Sequence, residues 1–300
     1  AYRPLGALED HSGYIWAGLV GMEDPIRDGV IEAVQVAQHA GIRVSMITGD
    51  YPRTAERIGR NIGILREGDK AITGEELAKL DDQQLRQEVP TIGVFARIRP
   101  NDKLRIVKAL QSTGQVTAMI GDGVNDAPAL KCADIGVVVG TATDVAKETA
   151  DLVLLDNNFR TVVAAIEEGR TIFQNIRKVV AYTLSNSFAE VLTIFVAMIL
   201  GWPAPLAVAQ ILWIHLICDG PSDIVLGFEP KENGIMDEPP KPKNAPILTR
   251  LGLSLIGVIS TVGATAALLI FNHYTTIHGN AVAGRSIVFA SFAINSMIYI

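Results

Sequence analysis

Met119-Ile120-Gly121-Asp122-Gly123-Val124-Asn125-Asp126-Ala127-Pro128-Ala129-Leu130 is the stretch on which the reading of this chain turns. Residues 115–120 just before it, Gln-Val-Thr-Ala-Met-Ile, read as a short buried strand. Pro128 stands where a helix can begin, because the N–H it lacks would have no partner in a first turn. Two carboxylates and an amide therefore stand on a glycine-rich turn at the C-terminal end of a strand. That is the edge at which open α/β sheets carry their sites. Gly121 and Gly123 let the backbone approach a ligand closely. Asp122 and Asp126 are hard oxygen donors, suited to Mg2+ and to a phosphate that Mg2+ bridges. The competing reading is an acidic turn solvated at a loop tip.

Working outward, the N-terminal side alternates short apolar runs with helical spacing. Residues 14–21 form an expected strand, and Asp24-Pro25-Ile26-Arg27 a turn in which Pro fixes φ. Residues 29–39 carry Val30, Ala33, Val34 and Ala37 at helical spacing, and Gly41 ends that helix. Residues 42–47 are the next strand, followed by Thr48-Gly49-Asp50, with Asp50 expected to cap a helix opening at Tyr51-Pro52. A Thr-Gly-Asp turn between strand and helix offers a hydroxyl and N–H groups to a phosphate, although such a triplet alone also serves as a plain cap. Residues 64–90 read as polar and mostly surface, with one helix from Thr73 through Leu85. Residues 94–97 are a strand, and Arg99-Pro100-Asn101-Asp102-Lys103 enters a helix with Leu104, Val107, Ala109 and Leu110 inward. Lys103 in the first turn runs against the helix dipole, which suits a nearby anion.

On the C-terminal side, residues 133–140 and 150–155 read as strands, 143–149 as a short helix, and 158–178 as a long helix. Strands alternating with helices predict an α/β domain with a parallel sheet covered on both faces.

Composition divides the chain. The 300 residues carry a formal net charge of -6, yet residues 179–300 hold 5 Lys+Arg and 7 Asp+Glu, leaving 21 and 25 for residues 1–178. Mean hydropathy is +0.29. No basic face of the kind that nucleic acid requires is visible. Cys132 and Cys218, one in each part, suggest no disulfide framework.

Residues 179–200 form an apolar run with Glu190 as its one charge, long enough to span hydrocarbon. A turn at 201–205 leads to a second span at 206–228 carrying Asp219 and Asp223. Residues 229–244 are polar and Pro-rich, residues 251–271 an uncharged third span, and Arg285 onward a fourth, cut off by the end of the sequence. Arg177, Lys178, Lys231, Lys241, Lys243 and Arg250 flank one side, which makes that side and the α/β domain cytosolic. The expectation is an all-α transmembrane helix bundle behind a cytosolic domain, in a lipid bilayer.

Glu190 near mid-span marks an ion path. Asn186 and Ser187, four and three residues before it, share its face, and His215 and Asp219 are four apart on the next span. Gly220-Pro221 is expected to unwind that span and free backbone carbonyls. The alternative is a structural hydrogen-bonded pair within the bundle.

The run at 119–130 resembles the hinge-proximal motif of the P-type cation-transporting ATPases, within the haloacid-dehalogenase-like superfamily, the calcium-pump-like branch above all. The similarity extends from about Gly21 to the C-terminus. It implies a haloacid-dehalogenase-like phosphorylation domain with its hinge at 1–160, a stalk helix at 161–178 and a membrane domain at 179–300. It implies Mg2+ and ATP as cofactors and an aspartyl-phosphate intermediate. Asp122 would hold Mg2+, and Lys103 would neutralise the phosphoryl group with Asp126 among the catalytic groups. Thr48, Gly49, Asp50 and Asn125 would position it, and Arg97 would lie near the nucleotide. Calcium pumps have a Glu and an Asp at the positions of Glu190 and Asp219. Here Ser187 stands where their amide is, beside Asn186, and His215 and Cys218 replace an Asn and a Thr. The softer donors leave Mn2+ or another cation beside Ca2+. A further ligand is expected near Asn295, its register not fixed.

The family's nucleophile lies in an Asp-Lys-Thr-Gly-Thr motif that does not occur here. The expectation is a C-terminal piece whose partners are the actuator, the nucleotide-binding domain and the first four spans of the same pump, in the plasma membrane. The rival is a non-catalytic membrane module that binds ions or a partner through Glu190 and Asp219.

Overall fold

The computed structural model describes residues 15, 16, 18, 20, 25–122, 124–156 and 158–298. The strand expected at 14–21 and Asp24 of the turn after it lie wholly or partly outside the described residues.

The α/β part opens with α1 (Val30–His39), packed on its Ala33, Val34 and Ala37 face. Strand β1 is short, Met46–Ile47. Helix α2 (Pro52–Asn61) is capped by Tyr51 rather than Asp50, and no side chain caps it. Asp50 is not free to do so, because its carboxylate accepts the Thr48 hydroxyl. Residues 64–90 depart from the expected polar surface. They hold a strand, β2 (Lys70–Thr73), and two helices, α3 (Gly74–Lys79) and α4 (Asp82–Glu88), where one was expected. Thr73 with Glu76 and Asp81 with Gln84 each close a capping box, so the chain restarts a helix at Asp81. Leu77 and Leu85 from these helices are fully buried with Ile92, Phe95 and Ile106 in one core.

Strand β3 (Ile92–Ala96) is buried along its whole length. It is the centre of a parallel sheet ordered β1-β3-β2. Helix α5 (Pro100–Ser112) follows, with Ile106, Val107 and Ala109 inward. Then come β4 (Ala118–Gly121), α6 (Ala127–Cys132), β5 (Ile135–Val139), α7 (Asp144–Thr149) and β6 (Leu152–Leu154). These strands form a second parallel sheet ordered β4-β5-β6. The one expected sheet is thus two ladders, and β1 and β4 each pair along one edge only among the described residues. Ile47 packs against the cores of both, so the two ladders lie side by side.

Helix α8 (Phe159–Ile199) starts from an Asn158 cap and runs 41 residues without a break. At 1.5 Å per residue it is ~60 Å long, so the expected stalk and first span are one rod. Val162 and Val163 at its base pack against β5, β6 and α1. The returning segment is helical in three pieces: α9 (Val208–Trp213), a π-turn (Ile214–Asp219) and α10 (Gly220–Gly227). Gly220-Pro221 does not unwind it. The Gly220 N–H reaches back to the His215 carbonyl, and the helix widens instead of opening. Helix α11 (Arg250–Asn272) continues through a π-turn at His273–Ile277, and α12 (Ala281–Ile298) begins four residues before the expected Arg285. Three described helical runs are long and apolar enough to cross a membrane: Phe159–Ile199, Arg250–Ile277 and Ala281–Ile298. Small residues bring α8 and α11 together. The Ser260 hydroxyl donates to the Ser185 carbonyl at 3.0 Å, and a Cβ on Gly263 would stand 3.4 Å from that of Ala189.

The loop at 229–244 lies along the stalk. Arg170 of α8 donates to the carbonyls of Ile235, Glu238 and Ala40, at 2.9, 2.8 and 2.8 Å. Lys243 pairs with Asp134, and His39 with Asp237. Gly41, at φ 74, has the Pro240 ring where a Cβ would go.

Candidate functional site

Two groups of polar residues lie at opposite ends of α8. The first is at the C-terminal ends of the strands. The Thr48-Gly49-Asp50 turn is tied to the end of β3: Thr48 N–H donates to the Phe95 carbonyl, Ile98 N–H to that of Thr48, and Arg97 N–H to that of Asp50. These bonds hold Arg97 at φ 54, a left-handed conformation uncommon outside glycine. The Arg97 guanidinium lies 3.8 Å over the Tyr51 ring. Within the turn the Asp50 N–H donates to the Thr48 hydroxyl, which donates to the Asp50 carboxylate, and the space above Gly49 is open.

At the end of β4, the Lys103 ammonium meets Asp126 Oδ1 at 2.5 Å, both largely buried. Asp126 folds back over the strand end, and a Cβ on Gly121 would stand 2.8 Å from Asp126 Oδ2. Gly121 therefore permits the ion pair. Asp126, expected as a hard oxygen donor and catalytic group, meets Lys103 through Oδ1. Asp122 and Asn125 stay exposed at the same edge. An exposed carboxylate beside a fixed ammonium is a donor set that fits Mg2+ and a phosphate, since Mg2+ keeps waters and takes few protein oxygens. Among the described residues no hydrogen bond joins the Thr48 turn to the Lys103–Asp126 pair.

The second group is in the membrane part. Glu190 and Asp219 are each 2% exposed. His215 stands between them, with Nε2 3.2 Å from Glu190 Oε2 and Nδ1 3.0 Å from Asp219 Oδ2. Glu190 Oε1 is buried and accepts no hydrogen bond among the described residues. A buried carboxylate oxygen without a donor is costly, and a cation would satisfy it. Asn186, expected as a ligand, donates its amide to Asp219 Oδ1 at 3.2 Å. Ser187 is half-buried and Cys218 buried, and neither side chain hydrogen-bonds to the cluster among the described residues.

Sequence reading missed two members. Tyr182 OH lies 3.2 Å from Asp219 Oδ1, and Ser296 Oγ 2.5 Å from the same oxygen. Tyr182 was legible in principle, being one turn before Asn186 on the face of Glu190. Ser296 was not, because the expected last-span ligand, Asn295, is exposed and its neighbour turns inward.

Comparison with known proteins covers both halves. The family model described as haloacid dehalogenase-like hydrolase matches residues 6–134, and a second of that description matches 103–166. The model described as cation transporting ATPase, C-terminus, matches residues 203–300. The chain is similar to calcium-transporting ATPase 1 of Lactococcus lactis, 40% identical over 90% of this chain and 31% of that protein. It is similar to the calcium-transporting ATPase of Bacillus subtilis, 40% identical over 100% of this chain and 35% of that protein. It is also similar to human calcium-transporting ATPase type 2C member 1, 45% identical over 85% of this chain and 28% of that protein. The chain thus spans about a third of the length of these relatives. With an α/β phosphate-type edge at one end of α8, buried carboxylates at the other, and these matches across both, the chain belongs to the P-type cation-transporting ATPases, on their calcium-pump-like branch.

Proposed function

We propose that the whole protein is an ATP-driven pump exporting a cation, Ca2+ in the first place, through an aspartyl-phosphate intermediate. The chain described above is its phosphorylation region (1–160), stalk (161–178) and later membrane spans (179–300). The observation that carries this reading is α8. One unbroken helix leaves the sheet carrying the phosphate-type edge and holds Glu190, with its undonated buried oxygen, in the membrane.

In this reading Lys103, fixed by Asp126, faces the charge of the transferring phosphoryl group. A preset ammonium needs no reorganisation as that charge develops. Thr48, Gly49, Asp50 and Asn125 orient the group, and Arg97 with Tyr51 forms the side toward the nucleotide. Asp122 would hold Mg2+, which when bound neutralises phosphate charge. The nucleophile comes from outside these 300 residues. The edges of β1 and β4, unpaired among the described residues, suit a further strand between them, whose C-terminal end would emerge between the Thr48 turn and Asp122. In the membrane, Glu190 and Asp219 take the cation, with His215 beside them. Names of the relatives favour Ca2+, while the His215 nitrogen favours Mn2+ as a second cargo.

Acid-quench labelling with radioactive ATP tests this. The full-length protein is expected to form an acid-stable phosphoenzyme that requires micromolar Ca2+ and disappears with a chelator. Asp122→Asn is expected to lower its level more than tenfold at ordinary Mg2+, and this chain alone to form none. Calcium-independent labelling, or a labelled aspartate within this chain, would overturn the assignment.

A further inference from the structure

We infer that Ser296, on α12, is a positioning residue for the transport site: it fixes the Asp219 carboxylate so that only one of its oxygens faces the cation. This rests on the reading of Glu190 and Asp219 as cation ligands.

The hydrogen bonds around Asp219 are lopsided. Oδ1 lies within reach of three groups: Ser296 Oγ at 2.5 Å, Tyr182 OH at 3.2 Å and Asn186 Nδ2 at 3.2 Å. Among the described residues Oδ2 meets His215 Nδ1 alone, at 3.0 Å. A serine hydroxyl has one proton to donate and a carboxylate accepts only, so at this contact Ser296 is the donor. Tyr182 OH stands 2.6 Å from Ser296 Oγ and 2.8 Å from the Ser296 carbonyl, and its proton is thereby directed to Ser296. Tyrosine and serine, from α8 and α12, thus form a relay ending on Asp219 Oδ1. Tyr182, Asp219 and Ser296 are all buried, so water does not compete.

With Ser296 and Asn186 both donating to Oδ1, Oδ2 is the oxygen left on the side of His215 and Glu190, whose own Oε1 lacks a donor among the described residues. The carboxylate plane is then set by two donors on two other helices, Ser296 (backed by Tyr182) and Asn186, rather than by the α9–α10 segment that carries it. A preset ligand loses less freedom on binding, so its cation affinity is higher. Asn186 in this arrangement orients a ligand and is not one.

The experiment uses the full-length protein in membranes, comparing wild type with Ser296→Ala, Ser296→Thr and Asp219→Asn. Two readouts are taken: the Ca2+ concentration for half-maximal phosphorylation from ATP, and the maximal level. Phosphorylation from inorganic phosphate serves as the folding control. A charge-assisted hydrogen bond is worth about 1.5 kcal/mol, so Ser296→Ala is expected to raise the half-maximal concentration roughly tenfold. The maximal level is expected to hold, and Ser296→Thr, which keeps the hydroxyl, to restore most of the affinity. Unchanged Ca2+ affinity in Ser296→Ala, with activation lost in Asp219→Asn, overturns the positioning role alone. A fall in maximal level without a shift in affinity, or no rescue by Thr, also overturns it, leaving Ser296 a packing residue. Activation retained in Asp219→Asn overturns the transport-site reading itself.

Discussion

At the scale of residues, the α/β part holds its charges by a few short contacts, and Asp134 shows how. Its carboxyl is held below the usual aspartate range, first by the Lys243 ammonium and then by the Thr117 backbone N–H. A carboxyl with a lowered folded-state pKa contributes stability that is fully present above its unfolded value near 3.9. That stability is lost as pH falls through the lowered folded value. Lys243 is 58% exposed, so the pair is screened and worth at most about 1 kcal/mol. Asp134→Asn is expected to lower the melting temperature of the detergent-solubilised protein by a degree or two at pH 6. The difference from wild type should close as pH falls through the lowered folded-state value of Asp134, and a difference independent of pH would show that the charge is not responsible. Several candidate site residues were legible at this scale. Asp122, Lys103 and the Thr48 turn were visible because glycine, carboxylate and hydroxyl types cluster at strand ends. The Lys103–Asp126 contact was not, because it depends on how far Asp126 folds over Gly121.

At the scale of elements, apolar periodicity carried most of the reading, and its failures have local causes. Lys70-Ala71-Ile72-Thr73 is too short and too polar at its start to announce a strand, yet β3 gives it a partner. The split between α3 and α4 was written in Asp81…Gln84, a capping box inside a stretch of helical spacing. Span limits followed from hydropathy, but the phase of α12 did not. A π-turn at His273–Ile277 and a left-handed Gly279 precede it, and they decide that Ser296 rather than Asn295 faces inward. The strap at 229–244 was legible only as polar and Pro-rich. Its attachment depends on Arg170, whose guanidinium serves three carbonyls from two segments. Arg170→Ala leaves those carbonyls without that donor, a loss of about 2 kcal/mol where they are shielded from water. Trypsin is therefore expected to cut at Lys231 or Lys243 at least several-fold faster in Arg170→Ala. An unchanged cleavage rate would mean that the ion pairs alone hold the strap.

At the scale of the whole molecule, two chemistries are joined by one helix. The α/β part presents Thr48, Lys103 and Asp122 at strand ends, and the membrane part encloses Glu190, His215 and Asp219. Helix α8 is rooted by Val162 and Val163 in the first and carries Tyr182, Asn186 and Glu190 into the second. In the proposed pump, a shift at Glu190 would therefore act on a rod rooted in the α/β part. In that pump, cation binding at Glu190 licenses phosphorylation from ATP. Leaving either carboxylate charged and unpaired in the membrane would cost several kcal/mol, so the cation-bound and cation-free states are well separated. Glu190→Gln keeps the shape of the side chain and removes the ligand charge. The direct measurement is phosphoenzyme formation in full-length Glu190→Gln, from ATP with saturating Ca2+ and, separately, from inorganic phosphate without Ca2+. Labelling from ATP is expected to fall to background while labelling from inorganic phosphate persists. Wild-type Ca2+-dependent labelling from ATP in Glu190→Gln would contradict that role of Glu190.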